Sequence, residues 1–155
     1  MRLVRTRRRP PDVSEVMPRL MIGAAPDPAQ CEELHRRGVR VVVDLRAEVL
    51  NEAYWPGDVT VRRLATVDRH APDVGELSEV ARWIVEALGH DQLVLVHCRA
   101  GMGRAPTVGC AVLMQLGYRL CDAYSMLRDA RPVIAPTDEQ IAALRRLEQL
   151  HRSAR

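Results

Sequence analysis

Lysine and phenylalanine are both missing from this 155-residue chain, and all 23 of its basic residues are arginine. The absence of lysine excludes a P-loop NTPase, because that motif needs a lysine at the end of its glycine-rich loop to reach the nucleotide phosphates. The exclusive use of arginine fits a GC-rich coding bias. The number of arginines is therefore no evidence of a function, and only an arginine within a defined pattern of other residues indicates one.

Cysteine and long apolar runs are also scarce. The four cysteines, at positions 31, 98, 110 and 121, are irregularly spaced and form no C-x-x-C pair, which argues against a disulfide framework and against a zinc site. No segment approaches the ~18 apolar residues of a membrane span, and the basic N-terminus lacks the apolar segment of a secretory signal. We therefore expect a cytoplasmic protein that needs no metal or other cofactor. We also expect it to be a monomer.

The net charge of +3 is concentrated at the N-terminus, at Arg2, Arg5, Arg7, Arg8 and Arg9. We interpret residues 1–17 as a basic, solvated arm, and we expect no nucleic-acid partner. The remaining chain has the length of one domain. The sequence thus predicts a single domain over residues 18–152.

Short apolar segments alternate with helical patterns along the chain. Strands are predicted at residues 19–23, 39–45, 59–67 and 92–97, and helices at 28–37, 74–88, 106–116, 120–130 and 137–151. Capping-box patterns begin two of these helices, and glycines at 38, 89 and 117 end three of them. Residues 46–58 lack a clear period and are interpreted as an exposed loop. Its aromatic pair, Tyr54 and Trp55, either stacks on a phenyl or sugar ring of the substrate or packs against the core. This alternation predicts an α/β fold with a mostly parallel central sheet flanked by helices.

The segment HCRAGMGR, residues 97–104, lies between a predicted strand and a predicted helix. Glycines permit a tight turn whose N–H groups converge on an anion, and the helix dipole adds positive potential there. A thiol in such a place titrates at ~3.5 to 7.5 instead of ~8.5. We therefore expect Cys98 to be a nucleophile and Arg104 to hold two phosphate oxygens with its planar fork. The predicted reaction is attack of the thiolate on phosphorus, followed by hydrolysis of a phosphocysteine intermediate.

This H-C-x5-R pattern resembles the cysteine-dependent protein tyrosine phosphatases. The short chain, the position of the cysteine in its C-terminal half and the segment DRHAPD before a helix are most similar to the dual-specificity branch, over about residues 18–150. The resemblance implies a metal-independent phosphatase of phosphorylated proteins or peptides, with a general acid on a loop upstream of the cysteine. Asp68 is our candidate for that acid, because Asp73 already has the position of a helix cap and Asp58 lies beside a Pro-Gly turn.

The other residues of the pattern receive supporting functions. Substrate binding is expected from Arg99, Ala100, Gly101, Met102 and Gly103, and His97 is expected to hydrogen-bond the loop backbone. Asp44 and Arg46 are interpreted as a structural pair. Arg131 precedes Pro132 after a helix, so it either faces the site or stabilises the helix end, and we favour the second interpretation.

Position 105 departs from the family pattern. Family members commonly have serine or threonine there, whereas this chain has Ala105, and Thr107 is a candidate partial substitute. The run C-x-A-G-x-G-R-A-P also resembles phosphoglucan phosphatases. A phosphoglucan or phosphoinositide substrate and a non-catalytic phosphate-binding module therefore remain alternatives. A sulfurtransferase is a further alternative, because the cysteine on a loop at a strand end also resembles rhodanese-like domains.

Overall fold

The computed structural model describes residues 7–49 and 54–154 of the chain. In this part, the strands are β1 (Val13–Met17), β2 (Leu20–Ala24), β3 (Val39–Arg46), β4 (Thr60–Thr66) and β5 (Leu93–Cys98). The helices are α1 (Pro28–Arg36), α2 (Val74–Gly89), α3 (Arg104–Gln115), α4 (Leu120–Ala130) and α5 (Asp138–Ser153).

The strands form one sheet in the order β1-β2-β5-β3-β4. β1 is antiparallel to β2, and the other neighbouring strands are parallel. The predicted α/β class with a mostly parallel central sheet is confirmed. Cys98 at the end of β5 lies opposite Ala24 of β2, and His97 lies opposite Asp44 of β3. The carboxyl ends of the three strands therefore meet at one edge, where open parallel sheets usually bind their ligands.

Helices cover both faces of the sheet. The larger core contains side chains from α2, α3, α4 and α5, and the smaller core contains Leu34 of α1. Val41 and Val43 of β3 face the larger core while Val42 faces the smaller one, which explains why β3 is apolar without alternation. None of the helices described here is long and apolar enough to cross a membrane.

Local signals begin and end the helices close to the predicted positions. The side chain of Asp73 accepts hydrogen bonds from the first turn of α2, and Thr137 and Gln140 form a complete capping box at the start of α5. Gly38 and Gly117, which follow α1 and α3, have φ angles of +108° and +107°. Such angles favour glycine, so these two residues end their helices as predicted.

The sequence does not predict β1. This strand includes the last five residues of the predicted arm, so the folded part of the chain begins no later than Val13. β1 is an edge strand in which only Val16 is buried, and it therefore lacks the apolar run by which the other strands are recognised. The assignment of residues 18–152 to a single domain stays a prediction.

Candidate active site

Residues 99–103 form a turn between the carboxyl end of β5 and the start of α3. Cys98 is the last residue of β5 and Arg104 is the first of α3, and they are only 3% and 1% exposed. Gly101 has a φ angle of +68°, and a Cβ there would lie 2.5 Å from the backbone of Gly23 in β2. Only glycine fits at this position.

The carbonyl oxygens of the loop point outward. Each accepts a hydrogen bond from outside the loop: Arg99 from the N–H of Ala25 (3.1 Å), Ala100 and Gly101 from the Arg131 guanidinium (3.0 and 2.8 Å), and Met102 from the N–H of Ala135 (2.7 Å). In a trans peptide the carbonyl and the following N–H point in opposite directions, so the N–H groups of residues 100–103 face the inside of the turn. These four N–H groups have no acceptor among the described residues. The loop thus forms a cradle of hydrogen-bond donors suited to an anion.

The guanidinium of Arg104, the residue that follows this loop, is close enough to Cys98 for their charges to interact. Its Nη1 donates to Glu48 (2.8 and 3.2 Å) and to the carbonyl oxygen of Thr66 (2.9 Å), whereas Nε and Nη2 are buried without a hydrogen-bond acceptor among the described residues. Burial by itself lowers the pKa of Arg104. The hydrogen bond to Glu48 and the charges of Cys98, Glu48 and Asp68 together have a larger and opposite effect, so the net shift of the pKa is upward. Arg104 therefore keeps its positive charge and presents the Nε–Nη2 edge, which matches two oxygens of a phosphate.

Asp68 follows β4 and lies beside this edge. One of its carboxylate oxygens is 3.5 Å from Nη2 of Arg104, and its side chain is 60% exposed. The segment that contains Asp68 is attached to the start of α5, because Thr137 donates to the carbonyl oxygen of Arg69 (2.9 Å) and Gln140 donates to that of His70 (3.0 Å). The carboxylate is thus close to the cradle and accessible from solvent.

His97 is completely buried behind the cysteine. Burial lowers the pKa of His97, so its ring is neutral at physiological pH. Its Nδ1 lies 3.3 Å from the carbonyl oxygen of Cys98 and 3.8 Å from Asp44. Because both neighbours are acceptors, we place the ring proton on Nδ1. Arg46 donates to both carboxylate oxygens of Asp44 (3.1 Å each), as expected of a structural pair.

The remaining loop residues differ in exposure. Arg99, Ala100 and Met102 are exposed, Gly101 is buried and Gly103 is partly buried. These residues surround the opening of the cradle. The exposed side chains are therefore available to a substrate at its rim, whereas the glycines contribute only backbone.

Two features outside the loop bear on the alternatives left open by the sequence. The hydroxyl of Thr107 donates to the carbonyl oxygen of Gly103 (2.8 Å), so its hydrogen is engaged there and does not replace the hydroxyl that is missing at Ala105. Trp55 packs against the smaller core, whereas Tyr54 is 60% exposed. Residues 50–53 of the same predicted loop lie outside the described residues.

Sequence reasoning missed one residue of the site, Glu48, and favoured the wrong function for another, Arg131. Glu48 follows the carboxyl end of β3, and this position was a usable signal because the ends of parallel strands meet at one edge. Arg131 was favoured as a residue that stabilises a helix end, but the structure supports the alternative that it faces the site, because its side chain binds the loop carbonyls. No local pattern distinguishes Arg131 from other arginines, so only the structure reveals this contact.

Comparisons with known proteins agree with this geometry. The family model described as the dual specificity phosphatase catalytic domain matches residues 20–150. The chain is 30% identical over 125 residues to dual specificity protein phosphatase Mpk3 of Drosophila melanogaster, and 32% identical over 124 residues to dual specificity protein phosphatase 9 of Homo sapiens. Each match covers 79% of this chain but only 30% and 32% of the relative. The chain thus spans about a third of the length of these curated relatives.

Solved structures give the same assignment. The active form of Tk-PTP has a TM-score of 0.82 at 33% identity, covering 90% of this chain and 97% of the other. Human DUSP28 has a TM-score of 0.82 at 25% identity, covering 92% of this chain and 99% of the other. The resemblance inferred from the loop is confirmed. This chain belongs to the dual specificity phosphatase family, of which it contains the catalytic domain.

Proposed function

We propose that this chain hydrolyses phosphomonoesters through a phosphocysteine intermediate, with phosphorylated proteins or peptides as substrates. The observation that carries the proposal is the buried Nε–Nη2 edge of Arg104, which has no hydrogen-bond acceptor among the described residues. Arg104 directly follows the loop whose N–H groups also lack acceptors in this part of the chain. Buried donors without acceptors are costly. A bound phosphate satisfies both sets of donors at once.

The residues around the cradle support a two-step reaction. In the first step the Cys98 thiolate attacks phosphorus, the bond to the leaving oxygen breaks, and Asp68 protonates that oxygen. In the second step the Asp68 carboxylate takes a proton from water, the water oxygen attacks phosphorus, and the sulfur–phosphorus bond breaks to regenerate the thiolate. Arg104 and the loop N–H groups stabilise the charge on the phosphoryl oxygens in both steps.

We further propose that the second step limits turnover. The position after Arg104 is the buried Ala105, which has no hydroxyl to assist the departing thiolate, and the Thr107 hydroxyl is bonded to Gly103. The phosphocysteine should then accumulate during turnover. A burst of the first product in pre-steady-state measurements is the expected result.

The decisive experiment measures hydrolysis of p-nitrophenyl phosphate and of a phosphotyrosine peptide. We expect Cys98→Ser to abolish turnover and Arg104→Lys to lower kcat/KM by about a hundred-fold, since a lysine does not form the bidentate contact. Cys121→Ser, at an exposed position on α4, is the matched control and should retain full activity. Acid quenching should trap phosphate on the peptide that contains residue 98.

Other outcomes separate the alternatives. Full activity in Cys98→Ser would disprove the cysteine mechanism. Oxyanion binding without phosphate release would indicate a non-catalytic module, and transfer of sulfur from thiosulfate to cyanide would indicate a sulfurtransferase. A panel of phosphopeptides, phosphoinositides and phosphoglucan identifies the substrate class.

We also propose, as the sequence led us to expect, that the protein is a cytoplasmic monomer.

A further inference from the structure

On the basis of the function proposed above, we propose that Arg131 and Asp12 form a clamp that holds the loop carbonyls outward and thereby sets the affinity of the cradle for an oxyanion. Arg131 follows α4 and Asp12 precedes β1, so neither belongs to the H-C-x5-R pattern. Asp12 also lies outside residues 20–150, which the family model matches. The clamp therefore joins Arg131, inside the matched segment, to a residue outside it.

The contacts of Arg131 account for all of its hydrogen-bond donors. Its side chain is only 3% exposed. Nε donates to the carbonyl oxygen of Gly101 (2.8 Å), and Nη2 donates to that of Ala100 (3.0 Å). Nη1 and Nη2 also bind the two carboxylate oxygens of Asp12 (2.9 and 3.1 Å), and Nη1 reaches the hydroxyl of Ser14 (3.2 Å). Five contacts match the five N–H groups of a guanidinium.

These contacts fix the orientation of two peptide units in the cradle. If the units that follow Ala100 and Gly101 rotated, their carbonyl oxygens would enter the cradle and repel an anion, while their N–H groups would leave it. Glycine at position 101 offers little resistance to such a rotation, because it tolerates many backbone conformations. Rotation would, however, leave the buried Arg131 without two acceptors. Arg131 therefore favours the orientation that binds anions.

Asp12 keeps Arg131 in place. Its carboxylate compensates the buried positive charge through two hydrogen bonds, although its side chain is 67% exposed. The backbone of Asp12 is fixed as well, because its carbonyl oxygen accepts a hydrogen bond from Ala24 (2.9 Å), the residue opposite Cys98 in the sheet. Asp12, in the segment before β1, is thus connected to the loop through the guanidinium of Arg131.

The test compares Arg131→Lys and Asp12→Asn with the wild type, using tungstate as an oxyanion probe. A lysine keeps the charge but does not span two carbonyls and a carboxylate. We expect Arg131→Lys to weaken tungstate binding by about ten-fold or more in calorimetry. Asp12→Asn should weaken it less, and it tests the clamp without changing a buried side chain. Arg128→Lys, an exposed position on α4, is the matched control.

Two measurements distinguish an effect of the clamp on the orientation of the loop from an effect on the stability of the folded protein alone. The gain in Tm from saturating tungstate depends on affinity, so it should shrink in both variants, whereas a purely structural effect would lower the Tm with and without tungstate equally. Asp12→Asn should also have little further effect in the Arg131→Lys background, because Asp12 acts through Arg131.

Unchanged tungstate affinity in folded Arg131→Lys and Asp12→Asn would overturn the clamp while leaving the proposed function intact. Failure of the wild type itself to bind tungstate and hydrolyse aryl phosphates would instead overturn the proposed function. The two failures are therefore distinguishable.

Discussion

Cys98 and Cys110 are both buried, yet their surroundings differ. Cys98 ends a strand and adjoins the N-terminus of α3 and a guanidinium whose pKa it helps to raise. Cys110 lies inside α3 among apolar side chains, and burial raises the pKa of its thiol to about 12. Residue type alone therefore does not identify the reactive thiol, because ionisation depends on the local donors and charges.

This contrast predicts selective alkylation. At about pH 8, well below the pKa of Cys110, iodoacetamide should leave Cys110 of the folded protein unmodified, because only the thiolate reacts. Cys121 is exposed and should be modified, which provides an internal control. Peptide mass spectrometry measures both sites, and Cys110 should become reactive after unfolding in urea. Equal modification of the two cysteines in the folded protein would contradict the prediction.

At the scale of elements, the segment between β4 and α2 contains two aspartates with different surroundings. The carboxylate of Asp73 accepts hydrogen bonds from the N–H groups of Gly75 (3.0 Å) and Glu76 (3.4 Å), so it caps α2. Asp68 instead accepts from its neighbour Arg69 and lies beside the cradle. The cap is predictable from residues three positions apart, whereas the proposed acid depends on where the segment lies against α3 and α5.

Substitution should separate these two functions. Asp73→Ala should lower the free energy of unfolding by about 1 kcal/mol and leave kcat nearly unchanged. Asp68→Asn should leave stability nearly unchanged and lower kcat by about a hundred-fold or more for a substrate with a poor leaving group. Urea unfolding and steady-state kinetics measure both quantities.

Substrates with different leaving groups provide the control for the effect of Asp68→Asn on kcat. If Asp68 donates a proton to the leaving oxygen, the loss should be smaller for p-nitrophenyl phosphate than for a phosphoserine peptide, because nitrophenolate needs less protonation. An equal loss for both substrates would argue against general acid catalysis by Asp68.

At the scale of the whole molecule, the site is assembled from distant parts of the chain. These are Asp12 before β1, Glu48 after β3, Asp68 after β4, the loop from Cys98 to Arg104, Arg131 after α4, and Gln140 in α5. The parallel sheet brings the ends of β2, β3 and β5 together. Gln140 of α5 donates to the segment of Asp68 and also lies against Gly103 of the loop, where a Cβ would be 2.9 Å from its side chain. Folding and formation of the site are therefore coupled.

His97 at the centre of this assembly predicts a pH dependence of stability. Burial lowers its pKa in the folded protein below the ordinary 6.5, whereas the unfolded chain titrates near that value. Above this pH neither state binds the proton. Between this pH and the lower pKa of the folded protein, the unfolded chain binds a proton that the folded protein does not. In that window stability falls as the pH falls, by up to about 1.4 kcal/mol per pH unit.

Urea unfolding at about pH 7.5 and about pH 5.5 tests this dependence. His97→Gln should lose less stability between the two values than the wild type does, because its side chain does not titrate. His90→Gln, at the exposed end of α2, should behave like the wild type. An unchanged pH dependence in His97→Gln would show that another group is responsible.

Much of the fold was predictable from the sequence because its determinants are local. Capping residues, terminating glycines and apolar runs indicated all five helices and four of the five strands in the described part of the chain. β1 was not predicted, because an edge strand needs no apolar run when the neighbouring strand contributes the buried side chains. β1 pairs with β2 through backbone hydrogen bonds, and such bonds leave no pattern in the side chains of the sequence.

By itself, the sequence determined the α/β class and the loop from Cys98 to Arg104, since a strand, a turn with glycines and a helix start follow one another within a few residues. Only the tertiary structure decided which groups surround that loop. Arg131 and Asp12 are 119 positions apart and Arg104 and Glu48 are 56 apart, so these pairs form only after the sheet and helices have packed. Contacts at such separations depend on the packing of whole elements, because no local spacing relates the residues that meet.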